Sequence, residues 1–179
     1  MKKFQDWAKR EYSLKQRLIT LGFAGVFFLL ILPALLIWAS TALDQRLNLP
    51  KFYAGAINGI LGLFLILGGG ILAIWSIYAQ VTIGEGTPLP MMPTQKLVVM
   101  APFTYCRNPM TLGTFLAYLG ISVWIGSWSA VIIVLIFIGS LLLYVRFIEE
   151  KELEARYGPE YVEYKRSTPF ILPRLRSRH

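Results

Sequence analysis

Histidine and cysteine are almost missing from this chain: one of each in 179 residues, with His179 at the last position and Cys106 alone. A single thiol cannot form an intramolecular disulfide. A Cys/His zinc site or a histidine-based triad needs ligands or a base that the sequence does not supply. Charge is also scarce. Only 16% of residues are charged and 55% are hydrophobic, where a soluble domain carries about 25% charged residues. A mean hydropathy of +0.54 excludes a disordered chain and makes a membrane protein the natural class. Acidic residues number 10 against 18 basic ones, a net charge of +8. The basic residues sit beside apolar runs rather than among stacking aromatics on a polar face, so anionic lipid headgroups, not nucleic acid, are the expected partner.

Three long runs contain no charge. Leu18 to Leu43 holds 26 residues, about 39 Å as helix, against a hydrocarbon core of roughly 30 Å. It is expected to be a retained span, too long for a signal peptide, with Pro33 tolerated because neighbours can satisfy the freed carbonyl. Phe52 to Gly84 holds 33 residues; the helix proper is expected over 52–79, with 80–84 at the interface. Asn108 to Val145 holds 38, about 57 Å as one helix, so it must turn or tilt steeply. Gly126-Ser127 between Trp124 and Trp128 suits a bend at the interface, which gives short spans over 109–125 and 128–145.

The expected architecture is an all-α membrane bundle of about four transmembrane helices. Six Lys/Arg in residues 1–17 and eight in 146–179, against Arg46 and Lys51 in the connection between, place both termini in the cytoplasm. That needs an even number of crossings. Phe4, Trp7, Ala8, Tyr12 and Leu14 among lysines read as an interfacial amphipathic helix. Gly55 and Gly59 form a GxxxG pair and Gly68 to Gly70 follow, expected to serve close helix packing. The last span is expected to continue as a cytoplasmic helix that ends at Gly158-Pro159.

The polar residues gather in two places. Residues 84–93 hold three prolines and two glycines, an irregular loop or lid that leads to Arg107-Asn108-Pro109. Asparagine then proline opens a helix, and a fixed arginine beside a helix N-terminus can hold a carboxylate or phosphate; an arginine snorkelling to headgroups is the plainer alternative. Arg146 stands at i, i+3 and i, i+4 to Glu149 and Glu150, which intrahelical pairing alone explains. The two carboxylates nevertheless face Arg107 across one hairpin and could bind a ligand's ammonium and hydroxyl groups.

Taken together, GEGTPLP, KLVVMAPFTYCRNPMTLG, some forty apolar residues and EEKELEARYGPEYVEYKRSTPFILPR resemble the integral-membrane methyltransferases of the isoprenylcysteine carboxyl methyltransferase and phospholipid methyltransferase superfamily over residues 81–174. Arg107, Asn108, Pro109 and Gly113 match the first block. Glu149, Glu150 and Leu153 match the second, and Tyr157, Gly158, Tyr161, Tyr164, Pro173 and Arg174 the third. Ala101, Phe103 and Thr111 depart from the usual glycine and tyrosines, and asparagine at 108 leans toward the phospholipid branch.

The resemblance implies a methyltransferase core over 81–179 preceded by an N-terminal unit over 1–80. It implies S-adenosylmethionine as methyl donor and a lipophilic acceptor: a phospholipid amine, an isoprenoid or fatty carboxylate, or a hydrophobic thiol or amine. Glu149 and Glu150 would contact the donor's amino and ribose groups. Arg107 with the Asn108 helix start would contact its carboxylate or orient the acceptor, and Leu97, Val98 and Tyr105 would line the adenine side, with Pro109 and Tyr161 also beside the donor. Arg107, Asn108 and Glu150 are the expected catalytic residues. No metal is expected. A non-catalytic lipid-binding or assembly protein on the same scaffold is the competing reading.

Overall fold

The computed structural model describes residues 12–52 and 55–173. These contain helices and turns and no strand. The first helix, α1, is Leu14–Arg46, followed by α2, Ala56–Thr82, α3, Pro109–Ile125, and α4, Trp128–Tyr157; a short α5, Pro159–Ser167, comes last. α1, α2 and α4 are long and apolar enough to cross a membrane, and α3 is a shorter apolar helix of 17 residues. The protein is a helical membrane bundle. Residues 1–11, which carry most of the expected interfacial helix, lie outside the described residues; Tyr12 is not helical, and Ser13 caps α1 through a capping box with Gln16.

The chain runs back and forth between two ends. At one end Arg17 of α1 donates to the Val81 carbonyl at 3.3 Å and Thr20 to the Met92 sulfur at 3.4 Å, which places the start of α1 beside the end of α2. At the other end Asp44 closes α1 onto α4. Its Oδ2 accepts from Ser127 Oγ at 2.6 Å and its Oδ1 from the Ser129 N–H at 3.2 Å, satisfying groups that a helix N-terminus leaves free. There Phe52 N–H donates to Gly126 O, and Asn58 Nδ2 donates to Phe52 O and Val123 O. The hairpin at Gly126-Ser127 therefore exists: Gly126 ends α3 in the left-handed conformation (φ 65°) and Ser127 caps α4. The alternative of one tilted helix does not hold.

Pro33 leaves its mark on α1. A π-turn occupies Phe27–Ile31, with the Leu32 N–H reaching Phe27 O. In that register the next donor would be residue 33, and proline has none. The Phe28 carbonyl it would have met accepts instead from Tyr118 Oη of α3 at 2.6 Å. An unsatisfied carbonyl in hydrocarbon costs several kcal/mol, so this bond makes the proline tolerable.

α2 begins at Ala56, after Gly55 at φ 61°, rather than at Phe52, because the Phe52 backbone is held by the Gly126 hairpin, and it runs to Thr82 rather than Ala79. α2 and α3 pack antiparallel with backbones almost touching. A Cβ at Gly62 would lie 2.8 Å from Gly120 O, and one at Gly113 2.6 Å from Gly69 O. The expected Gly55/Gly59 pair is not the contact: a Cβ at Gly55, Gly59, Gly68 or Gly70 would meet nothing within 4 Å. Without a hydrophobic drive in lipid, such close packing is what holds helices together. A buried apolar cluster is formed by Leu36, Tyr118, Ala130, Val134 and Ile138. Phe23, Leu29, Trp38, Phe64 and Ile71 are exposed, as lipid-facing side chains should be.

Candidate donor-binding site

All the polar motifs converge at the end of the bundle where α2 finishes, α3 begins and α4 extends past the apolar region. The loop over 83–108 is irregular but tied. Gly84 O accepts from the Gln95 and Lys96 N–H groups, and Thr87 N–H and Oγ1 both donate to Met92 O. Lys96 pairs with Glu85. Tyr157 Oη donates to Thr94 O at 2.7 Å, fastening the loop to the end of α4. Pro109 stands at the first position of α3 as expected, but the Asn108 side chain does not cap that helix. Its Nδ2 donates to Phe170 O at 2.8 Å instead, because the C-terminal segment lies across the helix start.

α4 contains a second π-turn, Val145–Glu149, in which its charged end begins with Arg146. π-turns inside α-helices concentrate at functional sites. Glu150 follows directly. It is 1% exposed and faces three cations: Arg107 Nη1 at 2.6 Å from Oε1, and Arg146 Nη1 at 2.8 Å and Lys165 Nζ at 2.9 Å from Oε2. Lys165 also reaches Glu154 Oε1 at 2.6 Å. The Arg107 side chain is 7% exposed. Burying a charge is costly unless it is paired, and Glu150 has three cationic partners.

Arg107 and Glu150 touch without a well-directed hydrogen bond. Arg107 Nη1 and Glu150 Oε1 are enclosed and ion-paired with each other, and the enclosed Arg107 Nε lacks a hydrogen-bond partner among the described residues. Buried polar atoms are normally satisfied, so the unpartnered Nε makes this spot a candidate place for a ligand. Tyr161, 2% exposed, lies beside this pair. Burial, reinforced by the Glu150 charge, drives its phenol well above the ordinary range, and burial does the same to Tyr164. Both hydroxyls stay protonated, and Tyr164 donates to Phe103 O at 2.8 Å. Burial also raises the Cys106 thiol, which is 1% exposed and no ready nucleophile.

The structure thus brings Arg107, Asn108, Glu150 and Tyr161 together. Arg146, expected near both carboxylates, pairs with Glu150; Glu149 is half-buried next to them. Val98 is buried against the loop at Gly84, and Leu97 is partly exposed. Tyr105 and Pro109 form a different group. With Leu72, Pro102, Cys106 and Pro173 they line an apolar cavity of about 220 Å³, and the Tyr105 ring meets Trp75 edge-on at 6.4 Å. Sequence reasoning missed Lys165 and Phe170. Phe170 lies under both guanidinium groups, 5.5 Å from Arg107 and 5.7 Å from Arg146. The available hint was a lysine directly after Tyr164 in a segment otherwise matched to the resemblance. Pro173 lies within the described residues and Arg174 outside them.

Among the described residues no cluster of His, Cys, Asp and Glu could hold a metal ion. A family model described as phospholipid methyltransferase matches residues 57–160, more than half of the chain. The match opens in α2 and closes in the first turn of α5, so it contains Arg107, Asn108, Glu149 and Glu150 and stops short of Lys165 and Phe170. A comparison with curated proteins finds no match.

Proposed function

This chain belongs to the phospholipid methyltransferase family, and we propose that it transfers a methyl group from S-adenosylmethionine to a lipophilic acceptor at the cytoplasmic face of a membrane. One observation carries the donor assignment. A buried cation and a buried anion lie in contact, Arg107 Nη1 on Glu150 Oε1 at 2.6 Å without a directed hydrogen bond, and Arg107 Nε is enclosed with no hydrogen-bond partner among the described residues. The amino-acid end of S-adenosylmethionine carries the complementary pair, a carboxylate for the guanidinium and an ammonium for Glu150. The residues present therefore fit the donor.

The donor supplies an electrophilic methyl carbon on a sulfonium. The chain's own groups have little bond-making to do; they hold, align and exclude water. Arg107 takes the carboxylate through its planar fork, a geometry lysine could not reproduce. Glu150 takes the ammonium, and Glu149 beside it takes ribose hydroxyls. Asn108 fixes the start of α3 through Phe170 O, and with it the arginine that precedes it in the chain. Tyr161, its hydroxyl kept neutral, packs against the pair. Leu97 and Val98 cover the adenine. Tyr105 and Pro109, expected beside the donor, border the apolar cavity, and that cavity is assigned to the hydrocarbon part of the acceptor. Leu72 in its wall belongs to a membrane-crossing helix, so an acceptor can enter from the bilayer. A carboxylate acceptor needs no base, whereas an amine must release a proton. Residues 81–179 form the catalytic unit on this reading and 1–80 its membrane support.

The test is transfer itself. Purified protein incubated with methyl-labelled S-adenosylmethionine and a total lipid extract should place label in an extractable lipid, whose identity names the acceptor. No labelled product, with lipid still bound, would favour a non-catalytic lipid-binding protein on the same scaffold.

A further inference from the structure

We infer that Lys165 and Phe170 are positioning residues of the donor site, the first orienting the Glu150 carboxylate and the second the Arg107-Asn108 helix start. This rests on the reading of Arg107 and Glu150 as donor-binding groups. Glu150 has two oxygens with different company. Oε2 takes both Lys165 and Arg146, which fixes the carboxylate plane and turns Oε1 to Arg107, with which it pairs at 2.6 Å without a directed hydrogen bond. The two clamps are not equivalent. Arg146 is on the same helix as Glu150 and its side chain is 49% exposed, so solvent weakens its hold. Lys165 comes from α5, is 27% exposed, and is itself held by Glu154 at 2.6 Å. Glu154, then Glu150, raise the Lys165 ammonium above its usual range, so it stays charged at neutral pH.

Phe170 acts on the other partner. The Pro169 carbonyl accepts from the Arg107 N–H at 2.9 Å and the Phe170 carbonyl accepts from Asn108 Nδ2 at 2.8 Å. The ring underlies the guanidinium of Arg107, an arrangement that restrains a planar cation and keeps its edge free for a ligand. The backbone of Pro169 and Phe170 and the Phe170 ring thus fix both the position and the plane of the arginine. Both residues lie beyond the stretch matched by the family model, so this chain's C-terminal segment completes a site whose contact groups lie within it.

The experiment is calorimetric titration of the full-length protein in detergent with S-adenosylmethionine, alongside methyl-transfer kinetics. Lys165→Met and Phe170→Leu keep side-chain bulk and should each weaken donor affinity about tenfold, the scale on which groups that orient a binding side chain act. KM for the donor should rise with little change in kcat. Lys165→Arg and Phe170→Tyr should restore affinity to within about threefold, and Lys151→Met, an exposed charge on α4, should leave it unchanged. Variants that bind within twofold of wild type overturn the inference alone. Failure of the conservative variants to rescue overturns it too, since loss would then follow packing. A wild-type protein that gives no heat with the donor overturns the underlying donor reading and the inference with it.

Discussion

Glu150→Gln keeps the shape of the side chain and removes its charge, which isolates the electrostatic part of the site. Arg107, 7% exposed, would then sit buried against a neutral amide. Removing one partner of a buried pair costs about 3–5 kcal/mol, because the other charge remains uncompensated. Arg146, half in solvent, loses little of its own. The expected destabilisation is therefore about 3 kcal/mol. Arg107→Met should cost a similar amount, since it strands the carboxylate, although Lys165 and Arg146 still hold Oε2. The double variant should cost much less than the sum, with a coupling of about 2 kcal/mol. Reversible unfolding in mixed micelles measures all three. An additive double variant, with coupling under about 0.5 kcal/mol, would show that the two groups do not pair and would refute the reasoning built on them.

Gly69→Val should disrupt the bundle, since its Cβ would fall against the Gly113 carbonyl and 2.5 Å from Ala117 N, both backbone atoms that cannot yield, whereas Gly70→Ala has open space and should be neutral by thermal melting. Tyr118→Phe strands the Phe28 carbonyl inside the bundle and should cost about 1–2 kcal/mol in the same unfolding assay. Cys106 should resist maleimide labelling in the folded protein and react on denaturation, because it is 1% exposed and its thiol is held protonated by burial.

The hairpin was legible because arithmetic forced it: an apolar run nearly twice the hydrocarbon thickness with one glycine-serine pair near its middle. The bounds of α3 at Pro109 and Ile125 follow from residues with a conformational job, a proline suited to a first turn and a glycine suited to φ 65°. Of the glycines expected to pack, Gly69 does and Gly55, Gly59, Gly68 and Gly70 do not, because GxxxG spacing says nothing about which face meets a partner. The seven-residue repeat shared by Gly62/Gly69 and Gly113/Gly120 was the better signal, visible only when two helices are compared. Asn108 was expected to cap its own helix, and instead meets a carbonyl 62 positions away. Lys165 and Phe170 escaped for the same reason: their partners are distant in the chain, and a lysine in a short polar helix or an aromatic in the bend after it is locally unremarkable. The π-turns at Phe27–Ile31 and Val145–Glu149 had no sequence signature beyond Pro33.

The central claim is that Arg107 and Glu150 receive the two charged groups of the donor's amino-acid end. The most direct measurement compares binding of S-adenosylhomocysteine with that of its analogues lacking either the carboxylate or the ammonium, on wild type, Arg107→Met and Glu150→Gln. Each deletion should weaken binding to wild type about tenfold or more, as for a hydrogen bond between charged groups. Loss of the carboxylate should cost almost nothing further on Arg107→Met, and loss of the ammonium almost nothing further on Glu150→Gln. Equal penalties for each analogue on all three proteins would contradict the account, because the two side chains would then bind something other than those groups.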